Sequence, residues 1–138
     1  MNPIFDTKIP EGFSNMNSYL FTDKPAELIE WLQQVFYATE LGRTEGPEGI
    51  IRNSVLKIGN TCFMIAQSSK DLHTSRTAFY LYVNDVDQMF KRATDHGAGI
   101  VFQPDDMDFG DRQGGIIDPA GNYWWISKRL EEGPYKNA

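Results

Sequence analysis

Two hydrophobic periods alternate along the chain. Asn17 to Thr22 (NSYLFT) has the composition of a strand. Leu28, Trp31, Leu32, Val35 and Phe36 then recur at helical spacing. Pro25 stands where a first helical turn tolerates it, because its missing N–H would have no partner there. The pattern predicts a helix from Pro25 with one buried face. Thr39 to Arg43 reads as a strand and Glu45 to Gly49 (EGPEG) as a turn. Ile50 to Ile58 and Thr61 to Gln67 read as strands joined at Gly59-Asn60, a pair that accepts positive φ. Ser68 to Arg76 is polar and aperiodic, a connection.

The pattern then restarts. Thr77 to Val83 (TAFYLYV) predicts a strand, and Asp85 can cap a helix whose buried face is Val86, Met89, Phe90 and Ala93. His96-Gly97 ends it, with Gly97 as the left-handed residue. Gly99 to Gln103, Asp108 to Ile117 and Tyr123 to Lys128 follow as strands, the last two around the turn Asp118 to Asn122 (DPAGN). Tyr19-Leu20-Phe21 aligns with Tyr80-Leu81-Tyr82, Leu28-Ile29 with Met89-Phe90, and Gly59-Asn60 with Gly121-Asn122, all in the same order. The chain therefore reads as one α+β domain, 1–138, built from two βαβββ modules over 16–68 and 77–130. The polar tail from Glu131, with Gly133 and Pro134, is expected to fray.

Length and composition agree: 138 residues, 41% hydrophobic, suit one domain with its own core. A net charge of −6 repels phosphate backbones, so nucleic acid is not an expected partner. No apolar run approaches the roughly 18 residues of a membrane span, and the N-terminus carries no signal-peptide pattern. With a single cysteine, Cys62, the chain forms no internal disulfide, which fits a cytoplasmic location. Phosphate-loop, zinc-protease, CxxC and nucleophile-elbow motifs are absent.

Three short motifs in the second half carry a family resemblance: Tyr82-Val83-Asn84-Asp85-Val86-Asp87, Phe109-Gly110-Asp111-Arg112, and Asp118-Pro119-Ala120-Gly121-Asn122-Tyr123-Trp124. Ile29-Glu30-Trp31-Leu32 with Val35-Phe36 adds a fourth. In this order they resemble the vicinal oxygen chelate superfamily (glyoxalase I, bleomycin-resistance proteins, extradiol dioxygenases), and within it the PhnB-like branch. The resemblance implies a curled sheet in each half, a central cleft completed by both, and a homodimer. Members with metal take four ligands from the first and last strand of each half. Carried onto this chain, those positions fall on Asn17, Phe63, Ala78 and Trp125, which offer almost no donor atoms, so neither a metal nor another cofactor is expected.

Alternation along the strands sorts the faces. One parity holds Leu20, Leu81, Val83, Met64 and Ile126, and suits packing under helices; Cys62 is placed with it as a buried thiol. The other holds Tyr19, Phe21, Phe63, Tyr80, Tyr82, Tyr123 and Trp125. This aromatic face is either a second core or the wall of a binding cleft. Asn17 joins it, and Arg112 is either at the cleft mouth or in a surface ion pair. Arg52 has the same two readings, while His73 and His96 read as an exposed loop residue and a helix-end cap. The leading expectation is a metal-free protein that binds and sequesters a small planar or cationic compound. The alternatives are a metal-dependent lyase, isomerase or dioxygenase of the same superfamily, and a dimeric interaction module with a filled cleft.

Overall fold

The computed structural model describes residues 2–137. Its elements are β1 (Tyr19–Thr22), α1 (Pro25–Phe36), β2 (Thr39–Glu45), β3 (Ile51–Ile58), β4 (Thr61–Gln67), β5 (Ala78–Tyr82), α2 (Val86–Asp95), β6 (Gly99–Asp106), β7 (Asp111–Ile117) and β8 (Tyr123–Arg129). The strands form two four-stranded sheets of identical order, β1-β4-β3-β2 and β5-β8-β7-β6. In each, the first strand pairs parallel to the last, and the other pairs are antiparallel. The fold is α+β, and the repeat extends to register: Tyr19 stands opposite Met64 as Tyr80 stands opposite Trp125. Two compact units result, divided at Ser75/Arg76, with Gln34–Phe36 of α1 counted to the second.

In the first unit, α1 starts at Pro25 and stops at Tyr37, a non-glycine residue in the left-handed region (φ 57°). The Ala38 N–H donates to the Leu32 carbonyl across this stop. The buried face of the sheet carries Leu20, Leu56, Phe63 and Ile65. The chain ahead of β1 lies beside β4, where the Cys62 N–H donates to the Gly12 carbonyl at 2.8 Å. Gly12 has φ 86°, and a Cβ there would lie 2.4 Å from Cys62 Sγ, so only glycine fits.

In the second unit, the Asp85 carboxylate caps α2 by accepting from the Gln88 N–H at 3.0 Å. Val86, Phe90 and Ala93 are its buried face, lying against β6, β7 and β8. The turn before β8 is organised by buried Asp118. Its Oδ1 accepts from the N–H groups of Ala120 and Asn122, and its Oδ2 from Asn122 Nδ2 and Trp124 Nε1. Three expectations are corrected. β6 extends to Asp106 rather than ending at Gln103. β7 begins at Asp111 rather than Asp108, because Met107 to Gly110 form a turn in which the Met107 N–H donates to the Asp111 carbonyl. And the tail, read as loose, folds back until Tyr135 reaches Asp111.

Candidate functional site

The open face of the second sheet gathers most of the predicted aromatic residues. Register places Ala78 with Tyr123, Tyr80 with Trp125 and Tyr82 with Ser127, so all six share one face. Trp125 is half-buried. Phe102 meets it edge-on at 5.3 Å and 90°, and Tyr123 at 5.6 Å and 73°. Phe102 was not anticipated. It finds room because its ring lies over Gly115, where a Cβ would come within 2.5 Å of it. Tyr80 and Tyr82, at 5.3 Å from each other, are 44% and 55% exposed.

The polar end of this face centres on Asp111, which is fully buried. Its Oδ2 accepts from the Tyr80 hydroxyl at 2.5 Å and the Tyr135 hydroxyl at 2.7 Å, and its Oδ1 from Arg129 Nη1 at 3.1 Å. Burial alone would raise this carboxyl. The two hydroxyls and the guanidinium outweigh it and hold the group below the usual carboxylate range. Burial and the same carboxylate push the Tyr80 and Tyr135 phenols upward, so both remain protonated donors. The Tyr135 hydroxyl also meets that of Tyr82. Beside this cluster, buried Gln113 donates to Ser127 Oγ at 2.8 Å.

Arg112 is on the other face of β7 and is not a wall residue. It forms a two-pronged pair with Asp87 of α2 (2.8 Å for each contact) and a third contact with Asp106 at 3.0 Å. That is the surface ion-pair reading, and alternation explains it: Asp111 and Gln113 take the open side, so Arg112 takes the helix side. The bond to Arg112 holds Asp87 below the usual range. His96 caps α2 through a ring nitrogen 2.8 Å from the Arg92 carbonyl, and His73 is exposed.

In the first unit the parity of β4 is corrected by one residue. Tyr19 pairs with Met64, so Met64 is on the open face, and Phe63, opposite Leu56, is in the buried one at 5% exposure. Cys62 shares the parity of Met64 and is buried by the segment around Gly12 rather than by a helix. Tyr19 stacks on Phe21 at 4.8 Å, and its hydroxyl accepts from Asn53 Nδ2. The Asn17 side chain spans Ser14, accepting from its N–H and donating to its carbonyl. Asn17 and Met64 border a groove of about 320 Å³ walled by Thr7 to Pro10 and Phe13.

Residues 15–126 match the model of the glyoxalase/bleomycin resistance protein/dioxygenase superfamily. The chain belongs to this superfamily. An uncharacterised member-sized relative, Mb0911c of Mycobacterium bovis, is 30% identical over 85% of this chain and 84% of its own. Among solved structures, TioX from Micromonospora sp. ML1 superposes with a TM-score of 0.71 at 29% identity, covering 83% of this chain and 98% of TioX. TnmS3, an antibiotic-binding protein from Streptomyces sp. CB03234, superposes with a TM-score of 0.66 at 17% identity, covering 81% and 92%. The latter likeness is one of fold.

Tyr19 pairs with Met64 as Tyr80 pairs with Trp125, so Met64 rather than Phe63 is the first-unit equivalent of Trp125, and the expected ligand set becomes Asn17 and Met64 in the first unit, Ala78 and Trp125 in the second. Neither pair suits a divalent cation. Ala78 and the Trp125 indole supply no lone pair, the Met64 thioether is a soft, weak donor that already meets Asn53 Nδ2 at 3.5 Å, and the Asn17 amide is engaged by Ser14. Among the described residues, no cluster of three or more His, Cys, Asp or Glu side chains is placed to hold a metal ion elsewhere.

Proposed function

We propose that this protein binds a planar aromatic small molecule on the open face of the second sheet, as a carrier or sequestering protein rather than a catalyst. One observation carries the reading. Trp125, Tyr80 and Tyr82 share a sheet face on which both tyrosines stay open to water and the indole is half-buried, whereas the opposite face buries Trp124 and Ile126 completely or nearly so. Rings used only as core do not keep half their surface wet. Phe102 and Tyr123 fix the indole from its sides, which favours stacking with a flat ligand at little entropic cost. The fold shared with an antibiotic-binding protein fits this role. The donor-poor residues at the superfamily's ligand positions favour binding over metal-dependent chemistry.

Calorimetric titration with a panel of planar polycyclic aromatic compounds tests the proposal. The wild type is expected to bind members of the panel, and Trp125→Ala to bind them at least about tenfold more weakly, in line with a lost stacking surface. Because Trp125 is only half-buried, the variant should lose less than the ~3–5 kcal/mol of a buried tryptophan truncation. A wild type that binds nothing in the panel, with a variant that melts as a core mutant would, overturns the reading.

A further inference from the structure

The polar end of the second sheet's open face is occupied by the chain's own C-terminal segment. Tyr135 donates its hydroxyl to Asp111 Oδ2 at 2.7 Å and meets the Tyr82 hydroxyl. Its ring lies over the Arg129 guanidinium at 4.3 Å and 6.5 Å from the Phe109 ring. The residues around it give the segment little other purchase. Glu131 to Pro134, Lys136 and Asn137 are exposed and lie outside any helix or strand. Arg129 Nη2 reaches the Pro134 carbonyl at 3.3 Å and the Glu131 carboxylate at 4.0 Å, both long contacts. The segment is therefore held chiefly by one ring and one hydroxyl, and a free molecule bearing the same two groups would make the same contacts.

We propose that Asp111, Tyr80, Tyr82 and Arg129 form a binding site for a phenolic ring, with Tyr135 as its resident surrogate, displaced when an aryl alcohol enters. The proposal rests on the small-molecule reading above and names the group by which the ligand is anchored. The chemistry selects a phenol over a cation. Asp111 is already paired with Arg129, whose positive charge repels an ammonium or guanidinium group from Tyr135's place. Without Tyr135, Asp111 Oδ2 keeps the Tyr80 hydroxyl but loses its second donor, and Arg129 loses its π face. A phenol supplies both, a cation only the first, and a plain arene only the second, which leaves a buried carboxylate one hydrogen bond short. The tethered ring competes at a high effective concentration, so the wild type binds a free phenol with an affinity reduced by the fraction of time the site is closed.

The test uses the full chain, p-cresol as the tyrosine side-chain probe and toluene as its hydroxyl-free control, each titrated by NMR. Tyr135→Ala is expected to bind p-cresol at least about tenfold more tightly than the wild type, with little gain for toluene. Adding Asp111→Asn should remove the gain. Should that double variant fail to fold, Tyr82→Phe in the Tyr135→Ala background should reduce it instead. Equal p-cresol affinity in wild type and Tyr135→Ala overturns the proposal, and so does an equal gain for toluene, which would mark a vacated apolar hollow. Planar compounds bound through Trp125 with no p-cresol gain defeat this site alone. A p-cresol gain with no planar binding leaves the phenol site standing and defeats the wider reading.

Discussion

Asp118 accepts from four donors through two oxygens and so welds a five-residue turn to the first tryptophan of β8. Its removal strands two backbone donors, the Asn122 amide and the Trp124 indole N–H in a buried place. Asp118→Ala should therefore cost about 3 kcal/mol or more, read as a lowered midpoint in urea at unchanged slope. The turn itself was legible in Asp118 to Asn122, but the indole bond was not, since it depends on which face Trp124 takes. The same kind of ambiguity produced the error at Phe63. Cys62 to Ala66 is apolar at every position, so alternation says nothing about which residues face out. Only the parallel pairing of Tyr19 with Met64 decides it. In β8 the equivalent choice was made correctly, and there the polar Ser127 marks the end of the open face beyond Trp125.

At the scale of elements, the order of strands and helices, the Asp85 cap and the Gly97 stop were all readable, because each rests on local chemistry. Phe102 and Tyr135 were not. Register shifts flank Phe102 on both sides, so counting parity along β6 misplaces it, and the tail has no period from which to read a contact. The signal that was available is Gly114-Gly115 inside a strand, a mark of close approach. Phe90 closes over Gly114 from α2, and Phe102 over Gly115 from the open side. Gly115→Ala should push Phe102 off its seat, lowering stability by about 1–3 kcal/mol and altering the Trp125 indole resonance. Phe102→Leu in the same chain should restore part of both. An unchanged indole environment in Gly115→Ala would show that Phe102 does not set the wall.

At the scale of the whole molecule, three carboxyls among the described residues sit below their usual range. Arg112 holds Asp87 there, and Arg43 with Ser54 overcomes burial at Glu40, as the Tyr135, Tyr80 and Arg129 set does at Asp111. A carboxyl depressed in the folded state contributes stability that is complete above its unfolded value, near pH 4, and is lost as pH falls through the folded one. Asp87 is exposed and Glu40 half-exposed, so water screens their pairs; buried Asp111 should dominate. Stability measured from about pH 5 downward should fall more steeply in the wild type than in Asp111→Asn, which starts lower at neutral pH. Parallel slopes would place the acid sensitivity elsewhere. The pairing of first strand with last has a consequence for how the chain is made. β1 leaves the ribosome 39 residues before the start of its parallel partner β4 and must wait, edge unpaired, until Gln67 has emerged. The first unit can then close while the second is still being synthesised, and the second repeats the same wait from Ala78 to Arg129. Such non-local closure is expected to slow folding, and β1 and β5 are the strands whose edges wait unpaired on the nascent chain.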